Sequence, residues 1–307
     1  MMHRVASRLL QGLVAAWAIY TATFVLVIVM PGDPFETEGR RISPAIKQAL
    51  QQRYGMDSNW HFYVSYMGRM ARLDFGESLR YRDWTCNQII ANSLPVSVAL
   101  GTWALFVALA LGVFFGVMGA VHRRTLVDYA TLAVAIIGIS VPSFVIGASL
   151  LIVFGIMLGW APVGGWGTMS HVWLPGLALS LPFMAYIARL TRLGMLDVLG
   201  SDYIRTARAK GLPPNDVVWK HALKNAFLPV LSFLGPAAAA ILTGSFVIEK
   251  VFNIPGLGTH FVQSVLNKDR MLILGVVVVY SGIIVLFNLL VDIAYGWFDP
   301  RIGQEGT

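Results

Sequence analysis

The sequence predicts an all-α protein that crosses a membrane six times. Three observations carry that reading. Only 13% of the 307 residues are charged, where an ordinary soluble domain carries about 25%. Six stretches are long, apolar and free of Asp, Glu, Lys and Arg. The basic residues gather in alternate gaps between those stretches.

A spanning helix needs about 20 mostly apolar residues. Leu9–Met30, Pro95–Val121, Tyr129–Leu158, His171–Ala188, Ala226–Ile248 and Met271–Val291 meet this requirement or come close to it. The first follows Arg4 and Arg8, as the core of a signal peptide would. It is too long for one, and it runs into Pro31-Gly32-Asp33-Pro34 where a small-residue cleavage site would stand, so it reads as a retained anchor.

Segment 31–94 reads as a small domain outside the membrane. Ser43-Pro44 opens a helix with a cap and a first-turn proline, Ile46 and Leu50 share its face, and Tyr54-Gly55 closes it. Trp60–Arg72 is a second amphipathic helix, with Phe62, Tyr66, Met67 and Met70 on one side. About 60 residues bury little core alone. The segment is therefore expected to pack on the bundle or to receive a soluble partner.

In the second span Gly112 and Gly116 form a small-xxx-small pair, which lets helix backbones approach closely. Pro142 is expected to kink the third span. Pro175 and Pro182 make the fourth the weakest, tolerable where neighbours satisfy the freed carbonyls. Ala161–Gly167 is a turn with Trp160 and Trp166 at interface depth. Glu249–Gly258 is a Pro-Gly turn on the same side.

Lys and Arg set the orientation. With the N-terminus inside, the inner pieces 1–8, 122–128, 189–225 and 292–307 hold 12 basic residues, whereas loops 159–170 and 249–270 hold none and three. Stretch 31–94 holds eight against seven acids and is long enough to be discounted. Both termini are expected in the cytoplasm. The net charge of +7 is accounted for by this topology and calls for no nucleic acid.

The longest polar, basic segment is Gly200–Pro229, with Arg205, Arg208, Lys210, Lys220 and Lys224 against only Asp202 and Asp216. Ser201 or Asp202 caps a short helix from Tyr203 to Lys210, Gly211 supplies a left-handed end, and Pro213-Pro214 prevent continuation. A second helix starts at the cap Asn215 and feeds the next span. A compact helical knob at the cytosolic surface is something for a soluble partner to grip.

Other chemistry is missing. The dipeptide Gly-Lys occurs nowhere, so there is no phosphate loop for ATP. The six histidines are scattered, no His-Glu-x-x-His occurs, and the lone Cys86 excludes an intramolecular disulfide or a cysteine-based metal cluster. An ion-coupled carrier usually keeps ionisable groups within its spans, and these spans hold none. Transport would have to be driven from outside the chain.

The residues resemble a family at this point. Tyr203–Gly211, with His221-Ala222-Leu223 and Leu228-Pro229 after it, is similar to the cytosolic loop of permease subunits of binding-protein-dependent ABC importers. The general family form has Glu-Ala-Ala three residues before the glycine. Here Arg205-Thr206-Ala207 stand there, which points to the peptide and nickel branch. Pro31-Gly32-Asp33-Pro34, Leu73–Ser78, Ser93-Leu94-Pro95, the Glu249–Gly258 turn and Asp299-Pro300-Arg301 agree with it. Tyr81-Arg82-Asp83-Trp84 and the Pro162–Trp166 turn lean toward the oligopeptide members of the B type.

The resemblance implies the type I ABC importer permease fold, with a small external insertion after the first span and a permease domain over 95–296. It implies four kinds of partner: a second homologous permease, two ATPase subunits that hold ATP and Mg, an extracytoplasmic peptide-binding protein and the inner-membrane bilayer. This chain itself would bind no cofactor. Tyr203, Ile204, Arg205, Thr206, Ala207, Arg208, Ala209, Lys210 and Gly211 would form the ATPase-coupling helix, supported by Pro213, His221, Ala222, Leu223, Asn225 and Pro229. The two arginines equally suit anionic lipid or the topology rule. Glu249, Phe252, Pro255, Gly256 and Gly258 are candidates for receptor contact, and Pro236, Thr243, Gly244 and Ser245 for a pore wall, where ordinary helix packing explains them as well. The same machine for dipeptides, nickel or glutathione, and a membrane scaffold that moves nothing, are the competing readings.

Overall fold

The computed structural model describes residues 2–35, 43–81 and 83–298. Arg82, Asp299, Pro300, Arg301 and the rest of the C-terminal tail lie outside the described residues. Among those described the chain is helical, with one isolated antiparallel bridge between Glu77 and Thr85.

The elements are α1 (Met2–Val29), α2 (Pro44–Arg53), α3 (Asn59–Met70), α4 (Cys86–Val121), α5 (Leu126–Ser140) and α6 (Ser143–Leu150), which continues as a π-helix over Leu151–Met157. Then come α7 (Ser170–Leu199), α8 (Asp202–Ala209), α9 (Pro214–Asp216), a π-helix over Val217–Ala222, and α10 (Leu223–Ala226). The chain goes on through α11 (Leu228–Gly244), α12 (Phe246–Val251), α13 (Leu257–Leu266) and α14 (Arg270–Phe298). Among the described residues five helical segments are long and apolar enough to cross a membrane, and a sixth crossing results if the bent pair α5–α6 counts as one span.

Four expected boundaries are corrected. The second span starts at Cys86 and carries Pro95 within the helix, because the preceding segment is itself helical and a membrane helix absorbs a proline. The kink expected at Pro142 is a break: α5 and α6 meet at 108°. Val141 is extended and Pro142, at φ −56° and ψ 137°, starts the new helix. The fourth span runs on to Leu199, with Pro175 and Pro182 inside it. The fifth is interrupted at Phe227 and at Ser245, leaving Leu228–Val251 as the spanning segment.

The chain divides into two compact units, Met1–Ser97 with Pro255–Val285, and Val98–Ile254 with Leu286–Thr307. In the first, the insertion shares a core with α1, α13 and α14: Tyr20 and Phe24 meet Phe62, Tyr66 and Phe75, and Leu257, Met271 and Leu274 complete the cluster. α3 therefore buries Phe62 and Tyr66, as its spacing predicts. Both caps of α2 form as expected. Ser43 accepts from the Ile46 amide, and Gly55 at φ +68° lets the Gly55 and Met56 amides return to Gln52 and Gln51.

Two polar anchors hold this unit. The Tyr66 hydroxyl donates to the Met271 carbonyl at 2.9 Å. Burial pushes the Tyr66 phenol far above its ordinary range, so it remains a donor. Asp269, fully buried, caps α14 by accepting from the Leu272 amide at 3.2 Å. Its other oxygen accepts from the Ser78 hydroxyl and, at 3.2 Å, from the Leu79 amide.

These anchors predict unequal losses. Tyr66→Phe removes one neutral hydrogen bond and costs about 1 kcal/mol. Asp269→Ala removes a cap and leaves two buried donors unmatched, costing about 3 kcal/mol. Thermal unfolding in detergent should rank Asp269→Ala well below Tyr66→Phe.

Candidate functional site

The knob forms where the sequence places it. α8 occupies Asp202–Ala209, within one residue of the expected span. Ser201 holds the cap position, at φ −74° and ψ 156°, but its hydroxyl bonds back to the Val198 carbonyl at 2.6 Å and caps nothing. At the other end Gly211 has φ +75°. The Gly211 amide reaches Arg208 at 3.0 Å and the Leu212 amide reaches Ala207 at 3.4 Å, the paired bonds of a Schellman motif.

α8 has two faces. Ile204 and Ala207 point inward and are buried, with Ile204 fully enclosed. They join Val117 and Ala120 of α4, Met195 of α7, Val217 and Ala222 of the π-helix and Ala226 of α10 in one apolar cluster. Burying an isoleucine side chain contributes about 1.5–3 kcal/mol, so α8 is seated and does not drift. Tyr203, Arg205, Thr206, Arg208, Ala209 and Lys210 are exposed. Arg205 lies 3.5 Å from Asp202, but both side chains are mostly exposed and solvent screens the pair.

The return arm locks to the same seat. Asn225 donates to the Tyr203 hydroxyl at 2.8 Å. Ala222 is buried, Leu223 half-buried, and Pro213, His221 and Pro229 exposed. The second helix starts at Pro214, with Pro213 in the cap position expected for Asn215, because proline at the first helical position sacrifices no hydrogen bond. The π-turn Val217–Ala222 has no counterpart in the sequence reading; one extra residue per turn leaves no hydrophobic signature. Gly194 of α7 meets α10 directly: a Cβ there would sit 2.6 Å from the Ala226 carbonyl oxygen.

One further feature escaped sequence reading. Arg192 of α7 grips Asp128 of α5 with two bonds, Nε to Oδ1 at 2.6 Å and Nη2 to Oδ2 at 2.9 Å. The Asp128 side chain is 3% exposed. It also accepts from the Arg124 amide at 2.9 Å. The partners are 64 residues apart, and a lone Asp at a span edge gives no local sign of its mate.

The other candidate groups are less assembled. Glu249 and Phe252 are buried, Ser245 donates to Glu249 at 2.7 Å, and the Gly165 amide donates to the Phe252 carbonyl at 3.1 Å. Gly256 and Gly258 are buried as well. Of the five residues offered for receptor contact, Pro255 is exposed and the other four are buried. Among the pore-wall candidates Pro236 is exposed within α11, Thr243 bonds back to the Ala239 carbonyl at 2.9 Å, and Gly244 ends the helix. Ser245 is fully buried and engaged with Glu249, so its hydroxyl offers nothing to a passing solute.

The chain is a polytopic helical protein that seats a stiff amphipathic knob against the ends of its own spans. The family profile described as binding-protein-dependent transport system inner membrane component matches residues 112–304, and this chain belongs to that family. It is 41% identical over 305 residues to the oligopeptide transport system permease protein OppB of Escherichia coli strain K12, covering 98% of this chain and 99% of that one. It is 44% identical over 285 residues to the dipeptide transport system permease protein DppB of Bacillus subtilis strain 168, covering 92% of each. An inward-facing structure of the MetNI methionine ABC transporter superposes with a TM-score of 0.54 over 69% of this chain and 97% of that one, at 19% identity, which speaks for the fold.

The seat predicts a graded response at Gly211. Open space surrounds its Cβ position, so Gly211→Ala meets no clash and only the left-handed backbone penalty, about 1–2 kcal/mol. Hydrogen exchange should quicken at the amides of 210–212 while those of α7 stay protected.

Proposed function

We propose that this chain is the membrane-spanning permease of an importer for oligopeptides, worked by ATP-hydrolysing partners. The single observation that carries the reading is the seated α8: one face buried against four neighbouring elements, the other exposed and basic. Near-full-length identity to an oligopeptide permease supports the cargo.

In this reading α8 and both termini face the cytoplasm and segment 31–94 faces outward. Two ATPase subunits, carrying ATP and Mg, each present a groove to a permease; this chain fills one through Tyr203, Arg205, Arg208 and Lys210, and a second, homologous permease fills the other. An extracytoplasmic peptide-binding protein delivers cargo to the opposite end. ATP binding closes the ATPases, the groove displaces α8, and α8 displaces α7 and α10 because its apolar side is packed on Met195 and Ala226. A flexible loop would absorb that displacement. The chain hydrolyses nothing itself; it converts a partner's closure into altered access to the pore.

Dipeptide transport by the same machine is the second reading, favoured by the 44% identity to a dipeptide permease. The deciding experiment reconstitutes the complex with its receptor in proteoliposomes and compares ATP-dependent uptake of labelled trialanine and dialanine. Preference for trialanine is expected; uptake of dialanine alone overturns the cargo assignment, and uptake of neither overturns peptide import.

Two variants test the drive. Gly211→Pro demands φ near −65° where the chain holds +75° and removes the amide that bonds Arg208. Ala207→Asp places a carboxylate in the apolar seat. Each should leave the chain in the membrane and cut peptide uptake at least tenfold. Normal uptake by both would exclude α8 as the point of drive.

A further inference from the structure

We infer that the Arg192–Asp128 ion pair is the clamp that carries displacement of α8 onward to the bent pair α5–α6, which makes both residues positioning residues of the transport cycle. The inference rests on α8 being the driven element.

The geometry gives α8 a short route to α5. Met195, one turn before the end of α7 at Leu199, forms part of the α8 seat. Arg192 lies one helical turn further into the bundle on α7 and grips Asp128 in the first turn of α5. Apolar contacts between helices slide at little cost, because one methyl replaces another. A bidentate guanidinium–carboxylate pair does not slide: it fixes distance and orientation together. Asp128 transmits on both sides, since the Arg124 amide also bonds it, and Arg124 holds a left-handed φ of +64° in the turn between α4 and α5.

α5 is gripped by α7 at two levels. Arg192–Asp128 is the first. Ten residues along α5, Gly138 lies so close to α7 that an added Cβ would stand 3.0 Å from the Ala185 Cβ and 3.1 Å from the Leu181 carbonyl oxygen. Held at both levels, α5 follows α7 as a body, and the 108° break at Val141-Pro142 directs the movement into α6. α6 in turn rests on Ile248, Phe252 and Ala178 at Gly147. The pair is nearly closed to water, with Arg192 at 18% exposure and Asp128 at 3%, so salt screens it little.

The test uses the complex purified through a tag on this chain, reconstituted with receptor and trialanine. Uptake per ATP hydrolysed is the readout. Arg192→Lys keeps the charge and loses the two-pronged bond. It should assemble with its partners in normal yield and retain receptor-stimulated hydrolysis, while uptake per ATP falls more than threefold. A fall of less than threefold overturns the clamp, and so does a parallel loss of uptake and hydrolysis. If Arg192→Lys does not assemble, Asp128→Asn is read by the same rule; failure of both to assemble makes the pair a folding element and also overturns it. Ala207→Asp runs alongside. If Ala207→Asp leaves the ratio untouched, the α8 reading falls with the clamp; if it uncouples while Arg192→Lys does not, the clamp alone falls.

Discussion

Everything in the second unit depends on α7 being held at backbone distance by its neighbours. A Cβ on Gly116 of α4 would come within 2.6 Å of the Ala188 carbonyl oxygen, and one on Gly194 equally close to the Ala226 carbonyl oxygen. In a bilayer no hydrophobic force pulls helices together, because lipid tails are as apolar as leucine; close packing and polar contacts must do it. Small residues at these crossings let α4 and α10 approach the α7 backbone closely enough for dispersion contacts there. That packing puts Met195, Val117 and Ala226 within reach of one another, and α8 then finds a preformed apolar seat.

Two buried polar contacts sit where packing alone would leave register undefined. Asp269 binds the insertion to the start of α14, and Arg192 binds α7 to α5. A buried ion pair gains little net stability over a well-packed apolar one, but removing one partner costs about 3–5 kcal/mol. Such pairs specify geometry more than they add strength. In the first unit the same division holds: aromatic rings of Tyr20, Phe24, Phe62 and Tyr66 supply the burial, and single hydroxyl bonds from Tyr20 and Tyr66 fix α3 against its neighbours.

Much of this was legible in the sequence, and the reason is physical. Apolar runs, helix caps and left-handed glycines act locally, so the Ser43 cap, Gly55 and the Gly211 end of α8 appear where their residues ask for them, and the apolar runs are helical though their ends shift. The Gly112 and Gly116 pair foretold close packing without naming α7 as its partner. What escaped is what is decided elsewhere in the chain. Pro95 sits inside a helix although proline usually opens one. Asp128 and Arg192 meet only after folding, and the burial of Glu249 and Phe252 in a turn that reads as exposed follows from the 161–167 loop lying over it.

The π-turn at Val217–Ala222 has an arithmetic consequence. It stores one residue more than an α-turn would between the knob and the span that follows it. Deleting a single residue there would restore ordinary winding and leave the helix downstream nearly in phase, because the surplus residue is held in the wider turn. Ala226 would keep its place against Gly194, and α11 would present the same side to its neighbours. The return arm of this hairpin therefore admits a one-residue change of length at that turn without turning its face away from α7.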